Sequence, residues 1–280
     1  MNYGTSMAGG ASNNVRGAIA GGFTGAPANG RISTVQALNI PTNGDIFKFK
    51  GLQFNCQQLS GVGNDTRGVY ALGYAYPNMS PVSSNSINMH YDMIEFMSDA
   101  NRTDFGDIIP GAASRDLATV ETPIRGYFAG GEGTDQSPAN NKNITIKGFA
   151  NNSESLNFGE LSVLSQRGSG LGSATRGVFV IGDTIPAFVN TMEYITLTTT
   201  GETTDFGDTT SVTGHSNNNS ASNTIRGVYH HARTADGGAE LNTLEFITIA
   251  TTGNAVDFGD LNYVTRDGVG FSDSHGGLTK

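Results

Sequence analysis

The side chains most able to do chemistry sit in four short clusters around a Phe-Gly pair: Asp104-Phe105-Gly106-Asp107, Asn157-Phe158-Gly159-Glu160, Asp205-Phe206-Gly207-Asp208 and Asp257-Phe258-Gly259-Asp260. An Asp-Phe-Gly triplet can hold Mg2+ over a nucleotide phosphate, but that chemistry needs a glycine-rich phosphate loop, a strand lysine and a catalytic-loop aspartate as well. The chain carries none of those partners. The better reading is structural: Phe fills a packing layer, Gly permits a bend or bulge, and the acids cap turns or pair with arginine. Five arginines, Arg16, Arg67, Arg125, Arg176 and Arg226, each precede a glycine. A guanidinium fork suits phosphate or carboxylate, and equally an Asp or the backbone carbonyls of a neighbouring repeat.

The remaining candidates are weaker. Of the histidines His90, His215, His230, His231 and His275, only His230-His231 are adjacent, and neighbouring strand residues point to opposite faces. A copper or zinc site would need a further histidine from elsewhere in the fold. Asp99, Asn101, Asn217, Asn218, Asn219 and Asp236 offer oxygen ligands for Ca2+ without the spacing of a known calcium loop, and read as turn formers. Tyr74, Tyr76 and Phe188 are expected in loops, where an aromatic face could stack on a sugar ring. The insertion from Ala75 to Ser86 is the most individual segment and the first place to expect recognition. Cys56, the single cysteine, allows no internal disulfide and reads as a small half-buried apolar residue. No metal or cofactor is expected.

These residues are spaced by a repeat. The Arg-Gly pairs recur at intervals of 51, 58, 51 and 50 residues. Each is followed by its aromatic corner, at Phe49, Phe105, Phe158, Phe206 and Phe258, after 33, 38, 33, 30 and 32 residues, with Lys48-Phe49-Lys50-Gly51 standing in for the acidic corner in the first unit. Within a unit the apolar alternation has period two, as in Ile32 to Ile40, and reads as strands. Asn43-Gly44 marks a hairpin, and Gly201 and Gly253 occupy the corresponding turns in MEYITLTTTGETTDFGD and LEFITIATTGNAVDFGD. Four strands per roughly fifty residues predict a propeller blade, which cannot bury both faces without neighbours. The expected fold is all-β, one domain of five four-stranded blades over residues 1–52, 53–108, 109–161, 162–210 and 211–263, with a surplus strand segment at 264–280. Either Tyr3 to Ala11 or Val264 to Gly276 is expected to complete the seam, only one being needed.

Composition agrees. There are 39 Gly, no Trp, 15% charged and 36% hydrophobic residues, a turn-rich all-β profile. The net charge of −9 argues against a nucleic-acid partner, which calls for a basic face. No run approaches a membrane span, and the start MNYGTSMAGGASNN lacks the basic and apolar regions of a signal peptide. Synthesis in a cytoplasm and no membrane insertion are expected.

Second strands ending in Gly21-Gly22 and Gly130-Gly131, with single glycines Gly73 and Gly182 elsewhere and His230-His231 in the fifth unit, resemble the kelch pattern over the whole chain. The fourth-strand tryptophan of that pattern is absent, and the corner Phe is expected to take its packing role. Kelch-type propellers include copper-radical oxidases, but Cys56 has no motif around it and there is no Trp to cover a radical. Residues 174–208 and 223–261 resemble more closely the TRGVFAGG and IEYITIATTGNATDFGDL repeats of marine bacteriophage virion and tail-associated proteins. That resemblance implies a non-enzymatic virion protein, tail-associated as a fiber, nozzle or adhesin-like component. It implies multiple copies against other virion proteins and contact with host-surface glycan or protein. The alternatives are a capsid-surface decoration protein, a carbohydrate-active or oxidase-type propeller, and an intracellular kelch-like interaction module.

Overall fold

The computed structural model describes residues 5–24, 30–42, 44–76, 86–87, 89–98, 102–112, 115–133, 140–184, 187–234 and 238–272. Asn43, Asp99, Asn101, Asp236, His275 and most of the 75–86 insertion lie outside them. For Tyr76, His215, Asn217 and Asn218 the backbone alone is described.

Five antiparallel sheets form a five-bladed propeller. The first blade holds β1 (Gly9–Ser12), β2 (Arg16–Ala20), β3 (Ile32–Asn39) and β4 (Phe47–Gln57). The second holds β5 (Ser60–Gly63) and β6 (Arg67–Ala71). It lends β7 (Tyr74–Tyr76) and β8 (Ser86–Ile87) to the edge of the first sheet, then continues with β9 (His90–Glu95) and β10 (Thr103–Asp107). The third comprises β11 (Ala118–Glu121), β12 (Arg125–Ala129), β13 (Asn141–Gly148) and β14 (Leu156–Gln166). The fourth comprises β15 (Ser169–Gly172), β16 (Arg176–Val180), β18 (Thr191–Thr196) and β19 (Thr204–Asp208), with β17 (Asp183–Thr184) paired to the end of β14. The fifth comprises β20 (Thr213–Ser222), β21 (Arg226–Thr234), β22 (Thr243–Thr248) and β23 (Val256–Asp260). Among the described residues no helix is long and apolar enough to cross a membrane.

The middle strands are packed on both faces. In β18, Met192 turns one way while Glu193 and Ile195 turn the other, and all three are buried. The four apolar clusters lie mostly between blades: Phe206 of the fourth blade packs with Tyr229, Ile247 and Ile249 of the fifth, and Phe158 of the third with Phe179, Ile195 and Leu197 of the fourth. The Phe-Gly corners lie within the outermost strands, where the pairing slips between Asp104 and Asp107 and at Met192/Glu193 opposite the third corner.

The innermost strands are rich in Gly, Ala and Ser because they crowd the axis. A side-chain carbon at Gly170 would lie 2.0 Å from the Thr119 carbonyl oxygen.

Both end segments are used, which corrects the expectation that one suffices. Met7, Gln58, Asp116, Arg167 and Asp267 all hold positive φ, between 56° and 59°, just before an inner segment. Their backbones are linked around the axis. The Gln58 N–H donates to Met7 O at 2.7 Å, Asp116 to Gln58 at 3.2 Å and Arg167 to Asp116 at 2.8 Å, and Met7 donates to Asp267 at 3.2 Å. Residues 267–272 are therefore a sixth inner segment, seated between blades five and one. Phe271 packs on Gly17 as Ala11 packs on Gly68 and Val62 on Gly126, while Ser12 and Ser272 bridge the seam through Ser12 Oγ to Ser272 O at 2.6 Å and Ser272 Oγ to Ser222 O at 2.8 Å. The inner ring reaches close contact with six such segments, so a single end segment would leave a gap.

Gly170→Val should lower unfolding free energy by about 2–3 kcal/mol through overpacking, whereas Gly133→Ala, with nothing within 4 Å of the added carbon, should change it by less than about 0.5 kcal/mol. Urea titration reads the difference, and equal stability of the two variants contradicts a close-packed axis.

Candidate functional site

The repeated arginines join one blade to the next. Arg16 and Arg67 donate through Nη1 to the carbonyls of Phe96 and Phe149, and Arg176 to those of Ile249 and Ala250 at 3.1 and 2.8 Å. Each acceptor lies at the end of the middle strand of the following blade. The guanidiniums of Arg16 and Arg176 also lie over Phe49 at 4.9 Å and Tyr194 at 4.4 Å, aromatics of their own blade, a favourable cation–π geometry. Arg125 departs from this plan. Tyr127 Oη takes its place by donating to Leu197 O at 2.7 Å, and an open cleft of about 360 Å3 lies beside it, lined by Ile124, Arg125, Tyr127 and Leu197. Arg226 lies over Phe246 at 4.8 Å. Of the corner aromatics, Phe105, Phe158 and Phe206 are buried between blades, Phe49 partly so, and Phe258 is exposed.

A second set of residues escaped the sequence reading. Asp92, Glu193 and Glu245 occupy one register position on the middle strands, each two residues before a buried isoleucine, and all three are buried. Each accepts a backbone N–H from the preceding blade: Gln53 to Asp92 at 2.7 Å, Ser162 to Glu193 at 3.0 Å and Thr210 to Glu245 at 3.3 Å. Glu245 also accepts from Tyr229 Oη at 2.5 Å and pairs with His231 at 2.9 Å. Burial alone would raise its pKa, but the hydrogen bonds from His231, Thr210 and Tyr229 outweigh it and hold the carboxyl at about 2. Asp92 is raised by burial, against the Gln53 N–H and Arg102. In the third blade Lys147 sits where the others have isoleucine. Its Nζ lies 4.5 Å over the Phe105 ring, and burial lowers its pKa to about 8. The recurring acid inside an apolar strand was the sequence signal.

At the end of the axis where the inner segments begin, charged and amide side chains form a connected chain from Glu132 to Arg233. Asp116 accepts from Gln58 at 2.6 Å and pairs with Arg167 at 3.4 Å. Asp183 pairs with Arg167 at 3.3 Å and Arg233 at 2.5 Å. Arg115 pairs with Glu132. Tyr74 lies in β7 rather than in a loop, and the guanidiniums of Arg31 and Arg115 both lie over its ring, each 4.6 Å from the ring centre. The ring is thereby in contact with two cations. Tyr76 is also in a strand, paired with Asn55 of β4, and Phe188 is half-buried in an irregular segment.

The axial cavity is about 50 Å3, lined mostly by Gly, Ala and Ser, with Thr119, Val120, Glu121 and Phe271. That space holds a few waters, far below the several hundred Å3 of a ligand pocket. Burial pushes Glu121 up to about 7, offset in part by the Gly63 N–H, which donates to its Oε2 at 2.7 Å. His230 lies between Asn219 at 2.7 Å and Leu241 O at 3.1 Å, and His90 pairs with Asp107. Among the described residues no three His, Cys, Asp or Glu side chains converge on a point that could hold a metal. Cys56 lies at the end of β4 and is fully buried rather than half-buried; burial raises its pKa well above the ordinary thiol value, which disfavours the thiolate.

No protein-family model matches the chain, and a search of curated proteins finds no match.

Arg67→Met should destabilise the protein by about 2–3 kcal/mol by orphaning the Phe149 carbonyl, and Arg125→Met by less than about 0.5 kcal/mol; denaturant unfolding compares them. Glu121 has its pKa raised on folding, so its protonated form favours the folded state. Its contribution is present below the unfolded value near 4.5 and is lost as pH rises to about 7. Glu121→Gln should therefore unfold less readily than the wild type at pH 8, by up to about 3 kcal/mol, and lose that advantage near pH 4.5. An unchanged difference across this range contradicts the assignment.

Proposed function

We propose that this chain is a non-enzymatic structural protein of a bacteriophage virion, a rigid propeller carried in multiple copies on the tail. There it makes assembly contacts with other virion proteins and touches host-surface glycan or protein. The observation that carries the reading is that its recurrent polar and aromatic residues are spent between blades. Three of the five arginines, three corner phenylalanines and three middle-strand acids are engaged by a neighbouring blade. A fold that commits its conserved-in-repeat chemistry to stiffness suits a load-bearing part, whereas an enzyme needs convergent groups left facing a substrate-sized cavity. The axial space of about 50 Å3 offers no such room, and the open cleft of about 360 Å3 beside Arg125 is lined by Thr, Pro, Ile, Tyr, Ala and Leu, with Arg125 its one charged side chain. The phage assignment rests on the resemblance of residues 174–208 and 223–261 to virion repeats.

Purified virions analysed by quantitative mass spectrometry should contain the chain at many copies per particle, and imaging should place it on the tail. A particle complete without it overturns the reading, and placement on the capsid moves the role to surface decoration. Stoichiometric copper with oxygen consumption on simple sugars would replace it with the oxidase alternative.

A further inference from the structure

Four junctions around the ring are complete, and the two beside the sixth inner segment are not. At three of the complete junctions Phe105, Phe158 and Phe206 are 2–4% exposed and at the fourth Phe49 packs, partly buried, against Tyr70, Ile94 and Phe96 of the second blade, but Phe258 of the fifth blade is 52% exposed. A carbon added at Gly106, Gly159 or Gly207 would lie 2.2, 1.8 or 2.4 Å from backbone of the following blade, while Gly259 has nothing within 4 Å. Arg16, Arg67 and Arg176 donate to a carbonyl of the following blade and Tyr127 does so beside Arg125, whereas Arg226 donates to no backbone carbonyl among the described residues and Val228 stands at the position of Tyr127. Across the gap, Ile19, Leu38 and Ile40 of the first blade are only half-buried, although their counterparts in the other blades, such as Tyr70, Ile94 and Phe96, are fully buried. The floor between these walls is segment 268–272, whose outer edge pairs with no strand among the described residues.

We propose that the slot between blades five and one is a docking site for a β-segment of a different polypeptide, which adds strands to the edge of segment 268–272 and completes a sixth blade. The four finished junctions specify this occupant, since both walls are the faces that blades of this protein present to one another. It must bring an aromatic or aliphatic face to Phe258, a backbone carbonyl at the end of its middle strand to Arg226, and a close backbone turn to Gly259. Backbone pairing along the floor supplies affinity, and the side chains on the two walls supply selectivity. The proposal does not depend on where the protein resides.

The probe is a labelled synthetic peptide of residues 223–260, which carries the outer three strands of the fifth blade and hence both required faces. Titrated into the full chain, it should bind saturably at one per chain. Phe258→Asp and Arg226→Ala, both at exposed positions, should each weaken binding about tenfold or more while leaving the circular dichroism spectrum and melting temperature unchanged. Absence of saturable binding up to about 1 mM, or binding indifferent to both substitutions, overturns the proposal. A wild-type dimer that Phe258→Asp converts to monomer also overturns it, assigning the face to a second copy of this chain.

Discussion

A four-stranded antiparallel sheet with apolar side chains on both faces cannot shelter them alone, and the surface it leaves wet costs about 25 cal/mol for each Å2. The blades of this protein meet that constraint by burying one another. Phe206 needs Tyr229 and Ile247 of the next blade, and Phe158 needs Phe179 and Leu197. Once sheets stack face to face, the backbone groups at their ends must also be satisfied, because an unpaired buried carbonyl is expensive. The arginine at the start of each second strand answers that need at three junctions, and a tyrosine hydroxyl answers it at a fourth.

Stacking fixes the middle of the molecule as well. Sheets that fan around an axis converge there, so the inner segments are mostly Gly, Ala and Ser, and their larger side chains, such as Val62 and Phe271, turn onto a glycine of the neighbouring blade. Gly170 and Gly270 lie where an added carbon would fall 2.0 and 2.2 Å from a neighbouring carbonyl oxygen. The same crowding leaves an axial space of about 50 Å3 and leaves Glu121 half-buried and partly desolvated, which is the main cause of its raised pKa. Glycine abundance, the narrow axis and the unusual carboxyl are consequences of one geometry.

The repeat made the all-β propeller and its five units legible, because the spacing of Arg16, Arg67, Arg125, Arg176 and Arg226 reports a period directly. A period says what recurs without saying which neighbour a residue meets. Asp92, Glu193 and Glu245 stand at alternating strand positions, where nothing local reveals that a middle strand is covered on both sides. Tyr74 looked like a loop residue because β7 pairs with the extension of β4, a contact made outside its own blade. The seam was misread for a related reason. The count of inner segments that closes a ring depends on how tightly their backbones approach, and the five hydrogen-bonded positions Asp267, Met7, Gln58, Asp116 and Arg167 come together only in three dimensions.

Closure of the axis by residues 267–272 is the feature on which mutual burial of the first and last blades depends. Thermal unfolding of a chain ending at Arg266, beside the full chain, addresses it most directly. A ring that needs its sixth inner segment predicts a fall of about 10 °C or more in melting temperature, the scale of a loss of a few kcal/mol in a domain of this size. Coincident melting curves for the two chains would contradict it.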